Sequence, residues 1–223
     1  MSLTVLNNIV QGSAAWEEAR QGILTASVIG KLVTPTLKAA NNDTSRGVTA
    51  TLVAERLTHH TEETVVSRAM ERGTLDEPYA RDLYSTHHAP VTEVGFMVRD
   101  IDGDRLGYSP DGLVGDDGLI EIKSRTQRIQ LQTILDDAVP TMNMAQLQTG
   151  LLVSGREWID YVSYCGGMPL YVKRVHPDDK WQEVIVEVLH KFEDTARHLQ
   201  ATYKAATEGM PPTERIDHFQ EIY

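Results

Sequence analysis

The sequence predicts a mixed α/β fold in a single domain that spans residues 1–223. Three observations lead to this prediction: helical patterns fill the first part of the chain, two strand pairs with glycine turns follow, and a long amphipathic helix comes last. A content of 41% hydrophobic and 24% charged residues agrees, because a chain of this length and composition can bury one hydrophobic core. We expect this core within about residues 14–205 and a C-terminal tail at 206–223.

The N-terminal part contains four segments with apolar residues at helical spacing. In chain order, the predicted helices are Ala14–Arg20 after the cap residue Ser13, a short helix through Leu32 capped by Thr25 or Ser27, Val48–Leu57, and about Val65–Tyr84. Gly22 marks the end of the first helix, because glycine often follows the last helical turn. The polar stretch at residues 35–47 is predicted to be a loop.

Strand-forming residues replace the helical pattern after Pro90. The predicted strands are Val91–Val98, Arg105–Val114, Leu119–Lys123, Trp158–Cys165 and Leu170–Val175. Glycine-containing turns at residues 115–118 and 166–167 predict a hairpin in each group of strands. A helix over about Met142–Val153 separates the two hairpins, and a long helix with an apolar stripe from Trp181 to Tyr203 closes the fold.

Net charge and cysteine content exclude several classes of protein. The 21 Lys and Arg against 32 Asp and Glu give a net charge of −11, which disfavours a protein that coats nucleic acid by bulk charge. Cys165 is the single cysteine, so this chain alone cannot form an internal disulfide, a cysteine zinc site or an iron–sulfur cluster. We find neither a signal peptide nor a stretch of about 20 apolar residues, so we expect a cytoplasmic protein with no membrane association.

The residues that indicate chemistry lie in the first predicted hairpin, as Pro110-Asp111 and then Glu121-Ile122-Lys123. Side chains alternate along a strand, so Glu121 and Lys123 share one face and Ile122 points to the other. The hairpin can bring Asp111 beside Glu121, and two such carboxylates repel each other unless a divalent cation lies between them. The pattern therefore predicts a Mg²⁺ site, with Mn²⁺ as a substitute, and Lys123 would orient or deprotonate a bound water.

A purely structural interpretation of this hairpin stays open at this point. Pro110-Asp111-Gly112 can be an ordinary turn, and Glu121 with Lys123 can be an exposed ion pair on an edge strand. The sequence contains no GxSxG element and no phosphate-cradling loop followed by lysine, which excludes the common templates of other hydrolases and of nucleoside triphosphatases. We therefore expect no dependence on ATP.

Four sequence blocks in a fixed order extend the pattern beyond this hairpin. They are Trp16-x-x-x-Arg20-x-Gly22-Ile23-x-Thr25-Ala26-Ser27, Gly73-x-x-x-Glu77-x-x-Ala80-Arg81, Ser109-Pro110-Asp111-Gly112-Leu113 with Glu121-x-Lys123, and Ala145-Gln146-Leu147-Gln148. With these blocks, the chain resembles the lambda exonuclease and YqaJ-type viral recombinase family of the restriction-endonuclease-like superfamily, from about Trp16 to Tyr203. The resemblance implies a restriction-endonuclease-like core, in which helices flank a twisted mixed sheet of about five strands.

The resemblance also implies a metal site and catalytic residues. In the pattern of this family, Asp111 and Glu121 are metal ligands, and the main-chain carbonyl of Ile122 is a third ligand. Lys123 corresponds to the catalytic lysine. Glu77 would support a second metal ion or its waters, and it belongs with the other acids to the catalytic set.

Other matched positions imply how the reacting strand is held. Gln148, on the helix after the hairpin, would help to position the water or the scissile phosphate. Arg20 and Ser27 match positions that bind the phosphate at a recessed 5′ end of DNA, and arginine suits this role because it binds phosphate through two hydrogen bonds. A basic residue in the following loop would add to this site. Lys38 and Arg46 are candidates, and the sequence favours neither.

The implied function is that of a Mg²⁺-dependent exonuclease that acts on the ends of linear double-stranded DNA. It would degrade one strand from the 5′ end, release 5′-mononucleotides and leave a 3′ single strand for phage-type recombination. A ring-shaped homotrimer, a single-strand annealing protein as partner and a phage or prophage gene expressed in a bacterial cytoplasm are further implications. An endonuclease or resolvase on the same fold and a catalytically silent DNA-binding subunit stay open as alternatives.

Overall fold

Two β-sheets and seven helices make up the part of the chain that the computed structural model describes, residues 2–62 and 66–216. The strands are β1 (Ser2–Leu6), β2 (Leu24–Thr25), β3 (Val91–Thr92), β4 (Phe96–Ile101), β5 (Asp104–Tyr108), β6 (Gly112–Val114), β7 (Gly118–Ser124), β8 (Trp158–Tyr164) and β9 (Tyr171–Val175). The helices are α1 (Ala14–Arg20), α2 (Ala26–Ile29), α3 (Asp43–Thr58), α4 (Arg68–His87), α5 (Gln127–Asp136), α6 (Thr141–Ser154) and α7 (Asp179–Ala206). No helix within these described ranges is long and apolar enough to cross a membrane.

The five-stranded sheet has the order β3-β6-β7-β8-β9 and is mixed, because β7 and β8 are parallel while the other neighbours are antiparallel. This arrangement confirms the predicted α/β class and the mixed sheet of about five strands flanked by helices. β6 and β7 form the predicted hairpin, in which Gly112 pairs with Ile120 and Val114 with Gly118. Asp111, directly before Gly112, therefore lies at the end of the hairpin that also carries Glu121.

A second sheet, with the order β1-β4-β5-β2, is not predicted by the sequence patterns. The prediction of one strand over Arg105–Val114 is wrong, since β5 belongs to this four-stranded sheet and β6 to the five-stranded one. The chain changes sheets at Ser109-Pro110-Asp111, where Pro110 has no N–H to contribute to a ladder of hydrogen bonds. Asp111 thus lies at the junction between the two sheets.

Two hydrophobic cores lie on opposite faces of the five-stranded sheet. Leu119 of β7 belongs to the larger core, together with residues of α2, α6 and α7, whereas Ile120 and Ile122 belong to the smaller core with residues of α4. This division confirms the predicted alternation along β7. The apolar stripe of α7 is half-buried at Trp181 and deeply buried from Ile185 to Phe192, while Tyr203 near its end is 51% exposed.

Helix α3 begins at Asp43, so the predicted start at Val48 is wrong and the predicted loop at residues 35–47 is too long. The earlier start has a local cause. The side chain of Asn42 accepts a hydrogen bond from the N–H of Ser45, and the side chain of Ser45 accepts one from the N–H of Asn42. This capping box satisfies donors that would otherwise lack partners at the first turn.

The other helix boundaries agree with the sequence to different degrees. α1 has the predicted bounds, and α6 agrees within one residue at each end. α4 begins at Arg68, and its predicted start at Val65 lies outside the described residues. α7 ends at Ala206, where the predicted tail begins, and residues 217–223 of that tail also lie outside the described part. β1 and α5 are not predicted.

Candidate active site

An open pocket of about 460 Å³ lies where the junction between the two sheets meets α4, α6 and the segment that joins α1 to α2. The residues placed in the site by sequence analysis that line this pocket are Arg20, Ser27, Glu77, Asp111, Glu121, Ile122 and Lys123. Gln148 is the exception. The structure therefore brings the predicted metal ligands and the predicted phosphate-binding residues into one pocket.

Hydrogen bonds from three side chains hold the carboxylate of Glu121, which is only 1% exposed. Tyr108 Oη donates to Oε2 at 2.9 Å, Lys123 Nζ donates to Oε1 at 2.7 Å, and Gln146 Nε2 donates to the same oxygen. A buried carboxylate needs such donors, because burial of an unpaired charge is strongly unfavourable. The contact between Lys123 and Glu121 agrees with their predicted position on one face of the strand.

Asp111 is fixed beside Glu121 by the main chain. Its Oδ2 accepts a hydrogen bond from the N–H of Ile122 at 2.6 Å, and its own carbonyl accepts one from Arg81 Nε at 2.9 Å, which ties α4 to the sheet junction. Burial, followed by the charges of Glu121 and Glu77, raises the pKa of Asp111 well above its ordinary value. The close approach of acids that the hairpin predicts is thus present in the fold.

The protonation state of Lys123 depends on two opposing effects. Burial alone would lower its pKa, but the negative charges of Glu121 and Asp111 outweigh burial and raise the pKa above its ordinary value. Lys123 is therefore an ammonium group near neutral pH in the metal-free protein. An ammonium group can orient a bound water through a hydrogen bond, which is one of the two roles left open by the sequence.

Glu77 lines the pocket and forms an ion pair with an arginine. Arg81 Nη2 donates to Glu77 Oε1, and Arg81 also pairs with Glu93 at 3.1 Å. Within residues 2–62 and 66–216, no group of three or more His, Cys, Asp or Glu side chains is close enough to hold a metal ion. The role predicted for Glu77, to support a second metal ion or its waters, stays a prediction beside the pair of carboxylates formed by Asp111 and Glu121.

This pair still fits a hard divalent cation. Carboxylate oxygens are the donors that Mg²⁺ and Mn²⁺ prefer in proteins. A cation held by Asp111 and Glu121 would also relieve the charge repulsion that contributes to the raised pKa of Asp111. The main-chain carbonyl of Ile122 and water molecules would complete the ligand set that the sequence analysis expects.

Replacement of Asp111 by asparagine is expected to raise the melting temperature of the metal-free protein near neutral pH. Because the pKa of Asp111 is raised in the folded protein, the folded state binds the proton more tightly than the unfolded chain does. Ionisation at a pH above the ordinary pKa of 3.8 therefore costs stability, and the gain from asparagine should vanish below that pH. Thermal unfolding in EDTA, near neutral pH and below the ordinary pKa, checks this, and Asp116→Asn at an exposed position is the control. A D111N protein that melts at or below the wild-type temperature near neutral pH would contradict it.

The placement predicted for Gln148 is wrong. Its side chain is fully buried away from the pocket, where Nε2 donates to the carbonyl of His176 and Oε1 accepts from the N–H of Asp178, both at 2.9 Å. Gln146, two residues earlier on α6, lines the pocket and contacts Glu121 instead. Two residues correspond to about 200° of rotation around a helix, so the two glutamines face opposite sides of α6.

Arg20 and Ser27 lie together in the pocket wall formed by α1 and the start of α2. Arg20 Nη2 donates to Ser27 Oγ at 3.3 Å, and its guanidinium lies 3.8 Å above the ring of Trp16. Trp16 Nε1 donates to Ser109 Oγ at 2.9 Å, which connects this group to the turn before Asp111. Burial lowers the pKa of Arg20 to about 10, so the side chain is still a cation near neutral pH. An arginine beside a hydroxyl is suited to binding phosphate.

The pocket also contains residues that the sequence analysis does not assign to the site. Trp16 and Gln146 lie within the matched sequence blocks, so their place in those blocks could have identified them as site residues. Tyr108 has no such signal, because its hydroxyl reaches the site only through the packing of the two sheets. The basic residues left open by the sequence, Lys38 and Arg46, do not line the pocket.

The fold and the pocket define a class of protein, that of exonuclease-like α/β proteins, and solved structures agree. An alkaline exonuclease from Laribacter hongkongensis, LHK-Exo, is 33% identical in sequence; the match covers 88% of this chain and 100% of that chain, with a TM-score of 0.73. The structure of LHK-Exo in complex with dAMP has the same identity, covers 89% and 100%, and has a TM-score of 0.77. A phage related exonuclease from Haemophilus somnus 129PT is 12% identical, covers 81% and 96%, and shares the fold with a TM-score of 0.60.

The family follows from the sequence match. The YqaJ-like viral recombinase domain matches residues 15–157, which is more than half of the chain. The chain therefore belongs to the YqaJ-like viral recombinase family, and this confirms the resemblance seen in its sequence blocks. No curated protein shows a significant match. Family membership and the likeness to LHK-Exo support a nuclease role.

Proposed function

We propose that this protein is a Mg²⁺-dependent exonuclease that degrades one strand of linear double-stranded DNA from the 5′ end. It releases 5′-mononucleotides and leaves a 3′ single strand for phage-type recombination. One observation carries the proposal: Asp111, Glu121 and Lys123 line the same pocket as Arg20 and Ser27. An enzyme that removes terminal nucleotides with a preference for 5′-phosphate ends binds both the terminal phosphate and the scissile phosphodiester, and this pocket offers groups for both.

The reaction breaks the bond between phosphorus and the 3′ oxygen of the terminal nucleotide, and water supplies the oxygen of a new 5′-phosphate. A bound Mg²⁺ ion would neutralise charge on the scissile phosphate and lower the pKa of a bound water. Lys123, as an ammonium group, donates a hydrogen bond that orients the water or stabilises charge on the phosphate. Asp111 and Glu121 present carboxylate oxygens in fixed positions, because neighbouring donors already hold them.

Arg20 and Ser27 bind the 5′-phosphate in this proposal. Each cleavage leaves a new 5′-phosphate on the shortened strand, so the same two side chains serve every cycle. LHK-Exo has been solved in complex with dAMP, a deoxynucleoside monophosphate, which is the class of product proposed for this protein.

Replacement of Arg20 by alanine is expected to remove the preference for 5′-phosphate over 5′-hydroxyl ends, while some cleavage remains. Hydrogen bonds to charged groups contribute about 1.5–3 kcal/mol each, so the preference should fall by about tenfold or more. Initial rates on duplexes with the two kinds of end measure it, and Arg105→Ala, an exposed position outside the pocket, is the charge-matched control. An unchanged preference in the R20A protein would remove Arg20 from the phosphate site.

Closed circular duplex DNA distinguishes the exonuclease from its alternatives. We expect circles to stay intact while linear duplex of the same sequence is converted to mononucleotides in Mg²⁺. Cut circles would indicate an endonuclease or a resolvase on the same fold. No metal-dependent cleavage of either substrate would indicate a silent DNA-binding subunit, although the presence of Asp111, Glu121 and Lys123 together argues against one.

The proposal extends to assembly and partners. A homotrimeric ring around the duplex would keep the enzyme on its substrate without ATP, because each hydrolysis step prevents productive backward movement. The net charge of −11 is compatible with such a ring, since only its channel has to attract phosphate. A single-strand annealing protein would take up the 3′ strand in the bacterial cytoplasm. Light scattering tests the ring, with an expected molar mass of three times 24.9 kDa.

A further inference from the structure

Tyr108, at the end of β5, places a buried hydroxyl in the pocket. Its side chain is 1% exposed, and the hydroxyl donates to Glu121 Oε2 at 2.9 Å. The other carboxylate oxygen, Oε1, receives both remaining donors, Lys123 and Gln146. Among the residues that the structure describes, Tyr108 is thus the only side chain that donates to Oε2.

This division of donors makes the orientation of the carboxylate depend on Tyr108. Lys123 and Gln146 both donate to Oε1. With these two contacts alone, Oε2 would be free and the plane of the carboxylate could still turn. A donor at Oε2 fixes that plane, because a carboxylate that is bonded at both oxygens cannot rotate without the loss of a hydrogen bond. The hydroxyl of Tyr108 is itself held in place, since its ring is enclosed in the larger core.

Helix α6 is shaped around the ring of Tyr108. A Cβ atom added at Gly150 would lie only 2.8 Å from this ring, so glycine provides space that a larger residue would fill. Gln146 and Gly150 are four residues apart and therefore share one face of α6. That single face supplies the donor to Oε1 and leaves room for the donor to Oε2.

We propose that Tyr108 is a positioning residue, whose hydroxyl holds Glu121 in the orientation that binds the divalent cation. This inference rests on the proposed function, because it takes Glu121 as a metal ligand. Loss of a group that orients a metal ligand typically weakens metal binding by about 10–100-fold. The Tyr108→Phe protein separates this role from core packing, since the ring stays and only the contact with the carboxylate is lost.

Tyr84 provides a matched control elsewhere in the fold. It is also 1% exposed, and its hydroxyl donates to a buried carboxylate oxygen, Asp160 Oδ2, at 2.7 Å. Tyr84 and Asp160 both lie outside the pocket lining. Tyr84→Phe removes the same kind of bond with a comparable effect on stability, and it should leave metal binding unchanged.

Isothermal titration calorimetry with Mn²⁺, on the full-length protein without DNA, tests the inference. The Tyr108→Phe protein should bind Mn²⁺ about tenfold more weakly than the wild type, and the Tyr84→Phe protein within about twofold of it. In cleavage assays, Tyr108→Phe should raise the half-saturating Mg²⁺ concentration and leave the KM for DNA unchanged. Gly150→Ala, which displaces the ring and keeps the hydroxyl, should shift Mn²⁺ affinity in the same direction.

The outcomes separate this inference from the proposed function. Equal Mn²⁺ affinity in the wild type and the Tyr108→Phe protein, or no measurable Mn²⁺ binding to the wild type, would overturn the role of Tyr108. Equal losses in the two tyrosine variants would reveal a general effect on folding and would overturn it as well. A Mn²⁺ site that needs Tyr108, in a protein that leaves duplex DNA uncut, would retain the inference and overturn the exonuclease.

Discussion

The Lys123→Ala protein is expected to lose DNA cleavage by a factor of about 10² or more, while it still folds and binds duplex ends. Lys123 is an ammonium group beside the carboxylates of Asp111 and Glu121, and it donates a hydrogen bond to Glu121 Oε1 at 2.7 Å. Its removal should be tolerated by the fold, because Gln146 also donates to that oxygen. Glu121→Gln should be at least as severe, because it removes the charge of a proposed metal ligand at almost constant size.

Mg²⁺-dependent release of nucleotides measures cleavage, and fluorescence anisotropy of labelled duplex ends measures DNA binding separately. Lys173→Ala is the matched control, since Lys173 lies on β9 outside the pocket and pairs with Asp137 at 2.9 Å. It should cleave at the wild-type rate. Turnover near that rate in both the Lys123→Ala and the Glu121→Gln proteins would contradict the catalytic assignment.

Replacement of Arg56 by alanine is expected to lower the free energy of unfolding by about 3 kcal/mol. The guanidinium of Arg56 joins α3 to α7 through two hydrogen bonds with Glu193, at 2.6 and 2.7 Å, and alanine would leave that largely buried carboxylate without its partner. Arg56 Nε also donates to the carbonyl of Gly22 at 2.6 Å. The variant therefore also loosens the segment from Arg20 to Ser27, and its preference for 5′-phosphate ends should weaken.

Urea unfolding compares this variant with Arg46→Ala on the same helix. Arg46 pairs with Asp43, and both side chains are largely exposed, so the loss of this pair should cost at most about 1 kcal/mol. Similar losses in the two arginine variants would show that the contact between Arg56 and Glu193 does not stabilise the fold as proposed.

Features that follow short-range rules could be predicted from the sequence. The glycine turn at residues 115–118 forms the β6–β7 hairpin, and alternation along β7 puts Glu121 and Lys123 on one face. The same hairpin brings Asp111 beside Glu121. These features depend on neighbours within one hairpin, where strand geometry leaves little freedom.

Elements with a polar buried face could not be predicted in this way. α5 buries Gln130 and Thr133, while Leu131 and Leu135 are 51% and 70% exposed, so its apolar residues do not mark the inner face. β1 is a mostly exposed edge strand that pairs with β4, far along the chain. Periodicity of apolar residues carries no signal for either element.

The directions of side chains that depend on distant contacts could not be predicted from the sequence either. The matched block contains both Gln146 and Gln148, and the rotation of α6 decides which of them enters the pocket. Gln148 is turned inward by main-chain groups of His176 and Asp178, almost 30 residues further on. Tyr108 reaches Glu121 because the four-stranded sheet, which is not predicted, carries β5 to the pocket.

A linear duplex labelled separately at its 5′ and 3′ ends gives the most direct test of the proposed activity. With Mg²⁺, we expect early release of the 5′ label as mononucleotide, late release of the 3′ label, and no release by the Glu121→Gln protein. Early release of the 3′ label, or release of the 5′ label by the Glu121→Gln protein at the wild-type rate, would contradict the proposed 5′-to-3′ exonuclease.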